Sequence, residues 1–334
     1  LVIVEGAGSP AEINLRKNDI ANMGFARSVN CPVILIGDID RGGVIAQIVG
    51  TKKILHPKDA ALIKGFIINK FRGDQSLFDE GLKIIENKTK WKSLGIMPYF
   101  KNAMNFPAED ILDLKDSKKF GSLKIACLVL SRIANFDDLD PLNAEKDINL
   151  VLVKEGQALP GDCDLVIIPG TKSTISDLEF LKKQGWHIDL ASHLRRGGKI
   201  LGICGGYQIL GKSISDPDQI ESSTKNVQGL GLLDVETVMI ASKTLTKSKG
   251  FHLGTKTTFE GYEIHMGQTN GTDCERPFSK INGQFEGANS KDGLVMGSYI
   301  HGMFSSDEFR RDFIKLITGI NLSSDLNHLS LVDE

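Results

Sequence analysis

The feature that most constrains this fold is a series of short apolar runs that alternates with segments of helical pattern. The runs lie at 1–4, 33–37, 65–68, 94–97, 124–130, 148–153, 165–169 and 199–203. They are rich in β-branched residues, and segments such as 74–90 and 174–196 between them have a helical pattern. This alternation is typical of βαβ units, so the sequence predicts an α/β protein with mostly parallel sheets.

The length of the chain, 334 residues, favours two domains over one. The charged stretch DLKDSKKFGS at 113–122 separates two series of apolar runs, and it predicts domains at 1–115 and 123–334. After about residue 220, glycine-punctuated segments such as GYEIHMGQT predict antiparallel strands attached to the second domain. The opening LVIVEGAGSP is interpreted as a buried strand rather than a signal peptide, in a chain that lacks an upstream segment.

The composition of the chain limits the kinds of molecule that the protein is expected to bind. A formal net charge of −2 with 25% charged residues gives no electrostatic case for nucleic acid or an anionic membrane. Five scattered cysteines without CxxC spacing argue against a disulfide framework or a zinc site and favour a reducing, cytoplasmic compartment. No apolar run approaches ~18 residues, so no membrane span is expected.

One cysteine sits among glycines, in KILGICGGYQILGK at 199–212. A strand, a turn that carries the nucleophile and a helix would project the Cys204 thiol into a cleft. The start of the helix favours the thiolate, and the Gly205 amide can donate to a developing oxyanion. A buried, inert cysteine is the alternative, and the glycines around Cys204 disfavour it.

A nucleophilic cysteine needs a base, and His301 is the predicted one. It lies in GSYIHGMF, where a strand end is followed by a glycine and a helical run. His265, in EIHMG at 263–267, is open to two interpretations of equal weight, a packed strand histidine or a residue that faces a substrate.

GxCxGxQ with a downstream strand-end histidine resembles the triad, or class I, glutamine amidotransferase domain, whose flavodoxin-like fold is expected for the second domain. The resemblance implies that Cys204 attacks the amide of glutamine and that His301 shuttles the proton as ammonia is released. It also implies a set of oxyanion and glutamine-binding residues: Gly170, Thr171, Gly205 and Gln208.

The sequence departs from that family at one position. The usual pattern has a glutamate two residues after the histidine, where this chain has Met303. The branch of cobyric acid and cobyrinic acid a,c-diamide synthases shares this departure, and the resemblance implies a weaker apparatus of two residues, the cysteine and the histidine. Asp307 and Glu308 lie close by in the next helical run and are the alternative source of a carboxylate.

The first half resembles the dethiobiotin-synthetase-like P-loop domain of the cobyric acid synthase family, through LVIVEGAGSPAEINLRKNDIANMGFA, VILIGDIDRGGVIAQIVGT and GFIINKFRGD. The resemblance implies ATP and Mg²⁺ as cofactors of the complete enzyme. Glu5 and Asp40 are the predicted Mg²⁺ ligands, and the predicted contacts to nucleotide or acyl phosphate are Asp38, Asp40, Arg41, Asn69 and Lys70. G-x-x-x-x-G-K-[ST] does not occur in the chain, so we expect these residues to bind ATP weakly or not at all.

The resemblance implies amidation of the b, d, e and g carboxylates of adenosylcobyrinic acid a,c-diamide, through an acyl phosphate and with ammonia from glutamine. Glutamine and the corrinoid are then the expected partners. An a,c-diamide synthase or a peptidoglycan-amidating relative is the alternative within enzymes. A MinD-like nucleotide switch with an inert amidotransferase module is the alternative of another class, and a cysteine hydrolase of a related fold is a third.

Overall fold

A computed structural model of the chain describes residues 2–100 and 122–323. The chain divides into two compact units, Leu1–Ala103 and Met104–Glu334. Residues 113–121 of the predicted boundary lie outside the described residues.

The first unit is built on a three-stranded parallel sheet in the order β1-β2-β3. Its apolar core includes Phe66, Ile68 and Ile48, which are at most 2% exposed. The strands are β1 (Val33–Asp38), β2 (Ile63–Phe71) and β3 (Lys92–Pro98), and the helices are α1 (Met23–Ser28), α2 (Val44–Ile54), α3 (Pro57–Ala60) and α4 (Asp79–Thr89). All three strands lie at predicted apolar runs, so the sequence interpretation of this sheet is confirmed.

The prediction of a buried strand at 1–4 is wrong for the residues of that run that are described. Val2, Ile3 and Val4 form no strand and are 85%, 87% and 54% exposed. A parallel strand needs a neighbour for its backbone hydrogen bonds, and β1 pairs only with β2 among the described strands.

The second unit has a mixed six-stranded sheet in the order β14-β15-β7-β6-β4-β5 among its described residues. Five of these strands run parallel, and β14 alone pairs in the antiparallel direction. They are β4 (Leu123–Leu128), β5 (Ile148–Val153), β6 (Leu165–Ile168), β7 (Lys199–Ile203), β14 (Ala288–Asn289) and β15 (Val295–Ser298). The near-continuous burial of β4, β6 and β7 follows from their apolar sequences, as expected for parallel strands covered on both faces.

A second sheet, largely antiparallel, is attached to the same unit. Its path is β13-β12-β10-β11-β16, with β8 paired to β10 and β9 to β8. The strands are β8 (Ser213–Ser215), β9 (Asn226–Gln228), β10 (Glu236–His252), β11 (Thr258–Asn270), β12 (Ser279–Ile281), β13 (Gln284–Glu286) and β16 (Ile300–His301). The antiparallel pairing of β10 with β11 confirms the change of character predicted after residue 220.

Five helices complete the described part of this unit. They are α5 (Asp140–Ala144), α6 (Thr174–Lys183), α7 (Trp186–Arg195), α8 (Gly205–Leu210) and α9 (Asp307–Thr318). No described helix combines the length and the hydropathy that crossing a bilayer requires.

Candidate active site

The carboxyl ends of the parallel strands gather the predicted catalytic groups. Cys204 directly follows β7, Gly170 follows β6, and His301 follows β15. Because these strands are parallel neighbours, the residues that leave them meet at the same edge of the sheet, where ligands of open α/β folds bind.

Cys204 occupies the strained turn that its glycine neighbours predict. It has φ +51° and ψ −110°, a backbone conformation that is costly for a residue with a side chain, and it is 7% exposed. A Cβ on Gly206 would lie 2.0 Å from the carbonyl oxygen of Ile168, so only glycine lets the start of α8 approach β6 this closely. The fold therefore holds Cys204 at a sharp turn between β7 and α8.

His301 and Asp138 form a buried pair beside Cys204. Nδ1 of His301 lies 2.7 Å from Oδ2 of Asp138, and the amide of Gly302 donates to Oδ1 of Asp138 over 2.6 Å. Both side chains are almost fully buried. A carboxylate only accepts hydrogen bonds, so Nδ1 carries the proton and Nε2 is the ring atom free to exchange one with the sulfur.

The charge of Asp138 sets the protonation of the imidazole. Burial alone lowers the pKa of His301, but the charge and hydrogen bond of Asp138, together with Cys204, raise it to about 10. Nε2 is buried and has no well-aligned hydrogen-bond partner among the described residues. Cys204 and His301 line the same cavity, so the two groups share one site.

Neither Asp307 nor Glu308 replaces the missing glutamate. Asp307 accepts from Arg310 over 2.7 Å, and Glu308 is exposed on α9. Met303 is fully buried among apolar side chains. The orienting carboxylate comes instead from the segment after β4, 163 residues before the histidine.

Tyr262 holds the imidazole from its face. The rings of Tyr262 and His301 stack at a centroid distance of 5.4 Å, and the two residues are register partners between β11 and β16. The Tyr262 hydroxyl donates to Oδ2 of Asp137 over 3.2 Å, and burial raises the pKa of that carboxyl. Asp138 therefore fixes the His301 ring directly, through the contact at Nδ1. Asp137 fixes it indirectly, through the stacked ring of Tyr262.

The predicted oxyanion loop lies against this pair. A Cβ on Gly170 would lie 2.7 Å from Cε1 of His301, and one on Gly205 would lie 3.2 Å from the amide nitrogen of Thr171. The Gly205 amide is the first of α8, where amides have no partner within the helix. The start of α8 at Gly205 thus lies against the loop at Thr171.

Gln208 is buried in the wall of the site by hydrogen bonds at both ends of its amide. Its Oε1 accepts from Thr174 Oγ1 over 3.0 Å, and its Nε2 donates to the Tyr299 hydroxyl over 3.2 Å. Tyr299 also stacks on His265 at 3.8 Å. The interpretation of His265 as a packed strand histidine is therefore confirmed, and its ring also lines the cavity.

These groups enclose a cavity of about 350 Å³, within the range of small-molecule sites. Its lining includes Cys204, His301, Gln208, Lys172, Glu221 and His265. Sequence reasoning missed Asp138, Lys172 and Glu221. The first stands in NFDDLD at 135–140, a cluster of acids shortly after the predicted strand at 124–130, which is the one signal that could have pointed to it.

The predicted residues of the first unit lie at the carboxyl ends of β1 and β2. Lys70 Nζ pairs with Asp38 over 2.9 Å, and the amide of Lys70 donates to Oδ1 of Asn69 over 2.8 Å. Asp40 pairs with Arg72 over 2.7 Å, a residue that sequence reasoning did not single out.

Four of the predicted residues of this unit are exposed: Glu5, Asp40, Arg41 and Lys70. Arg41 contributes only a minor charge effect that helps lower the pKa of Asp38. Glu5 lies in an exposed segment without strand structure, so its predicted place at a strand end is wrong.

The described residues do not provide a complete set of ligands for Mg²⁺ and ATP. Asp40, one predicted ligand, is engaged by Arg72, and Glu5 is held by no strand. No group of three or more His, Cys, Asp and Glu side chains in the described ranges is arranged to hold a metal ion. No reaction step is therefore derived through either group.

Comparison with known proteins places these observations in a family. A family model described as the CobB/CobQ-like glutamine amidotransferase domain matches residues 124–309, more than half of the chain. The structure of PurLQS from Thermotoga maritima covers 58% of this chain and 97% of its own at 16% identity, and its TM-score of 0.44 is too low to carry an argument.

Several curated relatives are named cobyric acid synthase. The one from Bradyrhizobium diazoefficiens is 62% identical over 94% of this chain and 65% of its own length. That from Rhodobacter capsulatus is 59% identical over 94% and 66%, and that from a Ruegeria species is 54% identical over 100% and 67%. The chain thus spans about two thirds of the length of the curated relatives it matches. Through residues 124–309, with Cys204 and His301 at its centre, the chain belongs to the family of CobB/CobQ-like glutamine amidotransferase domains.

Proposed function

We propose that the second unit hydrolyses glutamine to glutamate and ammonia. The observation that carries the proposal is the buried Asp138–His301 pair beside Cys204 in an enclosed cavity. A cysteine activated by an oriented histidine is the arrangement of nucleophilic amide cleavage.

The residues suit each step of that reaction. Nε2 of His301 takes the proton of the Cys204 thiol as the sulfur forms a bond to the carboxamide carbon, and the amides of Gly205 and Thr171 stabilise the oxyanion. The imidazolium of His301 gives its Nε2 proton to the departing nitrogen as the C–N bond breaks, and ammonia leaves. Nε2 then takes a proton from water, which attacks the thioester and releases glutamate and the free thiol.

In the whole protein, the ammonia released from glutamine is used to amidate a corrinoid. Support comes from the curated relatives named cobyric acid synthase, at up to 62% identity over 94% of the chain. The acceptor proposed is adenosylcobyrinic acid a,c-diamide, amidated at its b, d, e and g carboxylates. This proposal includes ATP-dependent activation of these carboxylates as acyl phosphates. The first unit is then part of a P-loop synthetase domain.

The glutaminase proposal is tested on the purified chain. Cys204→Ala should abolish ammonia release from glutamine, a loss of orders of magnitude, whereas Cys31→Ala in the first unit should leave it unchanged. A glutamine-analogue electrophile should form an adduct at Cys204 in the unaltered chain. Absence of both the adduct and the ammonia at neutral pH would support the inert-module alternative and overturn the proposal.

The acceptor is tested on the whole protein, of which this chain is the matching part. The a,c-diamide and cobyrinic acid are supplied separately with ATP and glutamine, and amidation of the a,c-diamide is expected. Amidation of cobyrinic acid alone would favour an a,c-diamide synthase. Cys204→Ala should spare amidation driven by added ammonia, because glutamine cleavage and amide synthesis occupy separate sites.

A further inference from the structure

We propose that Asp177 is a positioning residue of the active site, which holds the Thr171 amide where the oxyanion develops. The inference rests on the proposed glutaminase function, in which that amide serves the oxyanion. Asp177 lies in α6 and is fully buried, outside the lining of the cavity. It therefore acts on the reaction through the loop that it holds.

The Asp177 carboxylate accepts hydrogen bonds at both of its oxygens. Oδ1 accepts the amide hydrogen of Ser131 over 3.0 Å and also the hydroxyl of that serine. Oδ2 accepts the amide hydrogen of Arg132 over 3.1 Å and the hydroxyl of Thr171. A buried carboxylate needs such donors in place of water. Because the donors come from two different loops, the side chain joins the loop after β4 to the loop after β6.

The two loops that Asp177 joins also pair through their backbones. The amide of Ala134 donates to the carbonyl of Gly170 over 2.9 Å. The amide of Lys172 donates to the carbonyl of Arg132 over 2.9 Å. These two hydrogen bonds flank the residue whose amide is assigned to the oxyanion. The loop after β4 therefore supports that residue from one side, and the carboxylate holds both loops from α6.

α6 gives the Asp177 carboxylate a fixed position. Three apolar side chains of this helix are at most 1% exposed and belong to the core: Ile175, Leu178 and Leu181. A carboxylate held in this way determines where the Thr171 hydroxyl lies, and thereby restricts the Thr171 backbone. Donors to an oxyanion are most effective when they are already in place as the charge develops. Asp177 thus meets the requirement for preorganisation of the Thr171 amide.

The proton-transfer pair has anchors of its own. The Gly302 amide donates to Asp138 over 2.6 Å, and the Tyr262 ring stacks on His301. These contacts do not involve Asp177. Loss of the Asp177 carboxylate should therefore displace the oxyanion amide while Cys204 keeps its reactivity. That difference separates a positioning role from a general loss of structure.

The first test measures ammonia release from L-glutamine with the 334-residue chain. Asp177→Asn keeps the size of the side chain but replaces one acceptor oxygen with an NH₂ donor. Its kcat should fall by roughly 10- to 100-fold with KM within about threefold, because a donor used in the transition state is displaced. Alkylation of Cys204 by iodoacetamide forms no oxyanion, and it should keep its pH profile and its rate within about threefold.

Glu179→Gln is the matched control for that variant. Glu179 is exposed on the same helix, and its substitution should change neither kcat nor alkylation. An unchanged kcat in Asp177→Asn would overturn the inference. So would an alkylation rate that falls in parallel with kcat, because it would show that Asp177 supports the fold or the pair of Asp138 and His301 instead.

Thr171 variants test the contact itself. Thr171→Val removes the hydroxyl that Asp177 accepts, so kcat should fall, whereas Thr171→Ser keeps a hydroxyl and should lose less. The double variant Asp177→Asn, Thr171→Val should lose little more than Asp177→Asn alone, because substitutions that remove one shared contact are not additive. Losses that multiply would show two independent effects and would contradict the inference.

An aldehyde separates this inference from the proposed function. Glutarate semialdehyde has an aldehyde in place of the carboxamide, so the Cys204 sulfur adds to its carbon and the carbonyl oxygen takes the thiol proton. That oxygen then lies where the oxyanion would develop. The Kd is measured without turnover, as protection of Cys204 from iodoacetamide, and it should be weaker by about 10-fold or more in Asp177→Asn.

The possible results have different meanings. Equal Kd values in the unaltered chain and in Asp177→Asn would overturn the positioning role alone. A weaker Kd in Asp177→Asn would uphold that role even if glutamine were not turned over. An unaltered chain that neither binds the aldehyde nor releases ammonia would overturn the proposed function, and the inference with it.

Discussion

At the scale of single residues, the site shows how a carboxylate can be supplied from a different part of the chain. The usual pattern of class I glutamine amidotransferases places this carboxylate two residues after the histidine, on the same segment. Here that position is the buried Met303, and Asp138 reaches Nδ1 of His301 from the loop after β4. The chemical requirement is met because Nδ1 needs an acceptor at hydrogen-bond distance, whichever strand supplies it.

Asp138→Asn tests this role. Without the carboxylate, burial dominates, so the pKa of His301 should fall from about 10 to below its ordinary value and the ring should favour the wrong tautomer. We expect kcat for glutamine to fall by about 10²- to 10⁴-fold. Alkylation of Cys204 at neutral pH should slow in parallel, and its pH profile should shift.

Glu308→Gln is the control for that experiment. Glu308 is exposed on α9, and its substitution should leave kcat and the alkylation profile unchanged. A kcat for Asp138→Asn close to that of the unaltered chain would mean that Cys204 and His301 suffice as a dyad.

At the scale of elements, α9 secures the segment that carries the catalytic histidine. Phe309, Phe313 and Ile314 bury one face of the helix. Arg310 is fully buried between them, with Nε donating to Glu145 over 2.8 Å and Nη1 donating to the carbonyl of Phe304 over 2.7 Å. Phe304 lies three residues after His301, so the guanidinium ties α9 to the loop behind the active site.

Arg310→Met should therefore destabilise the second unit strongly. Removing one partner of a buried ion pair costs about 3–5 kcal/mol. Urea unfolding followed by the fluorescence of Trp186 measures the loss in a Trp91→Phe background, since Trp91 lies in the first unit. Arg311→Met on the same helix should cost less than about 0.5 kcal/mol, and equal costs for the two variants would refute the anchoring role.

The sequence predicted the parallel strands and the turn at Cys204 because those features depend on local pattern. Apolar runs with β-branched residues mark β4 and β7, and small neighbours mark a sharp turn. The Asp138–His301 contact could not be predicted in this way, because it depends on which strands are neighbours in the sheet. The prediction of a strand at 1–4 was wrong for a related reason. A strand pattern in the sequence does not specify which strand it will pair with.

At the scale of the whole molecule, several buried acids bind protons more tightly than they would in an unfolded chain. Burial raises the pKa of Asp140 from 3.8 to about 7, and that of Glu286 from 4.5 to about 7. The pKa of His301 rises from 6.5 to about 10, chiefly through Asp138 acting against burial. In all three cases the folded state holds the proton to higher pH.

Stability of the second unit should therefore decline as pH rises. Because the native state binds more protons, the free energy of unfolding falls between pH ~4 and ~7 through the carboxyls and between ~6.5 and ~10 through His301. Burial lowers the pKa of His252 from 6.5 to about 4, which acts in the opposite direction between pH ~4 and ~6.5. Urea midpoints measured through Trp186 should therefore decrease from pH 7 to pH 9, the range in which His301 loses its proton. Asp140→Asn should flatten the slope below pH 7, and a midpoint that increases toward pH 9 would contradict this account.

The 163-residue separation between Asp138 and His301 has a consequence for synthesis of the protein on the ribosome. A growing chain that has already exposed Cys204 still lacks His301, which lies in β16, later in the sequence. A polypeptide that stops between these two residues should therefore leave glutamine uncleaved, because it lacks the proposed base.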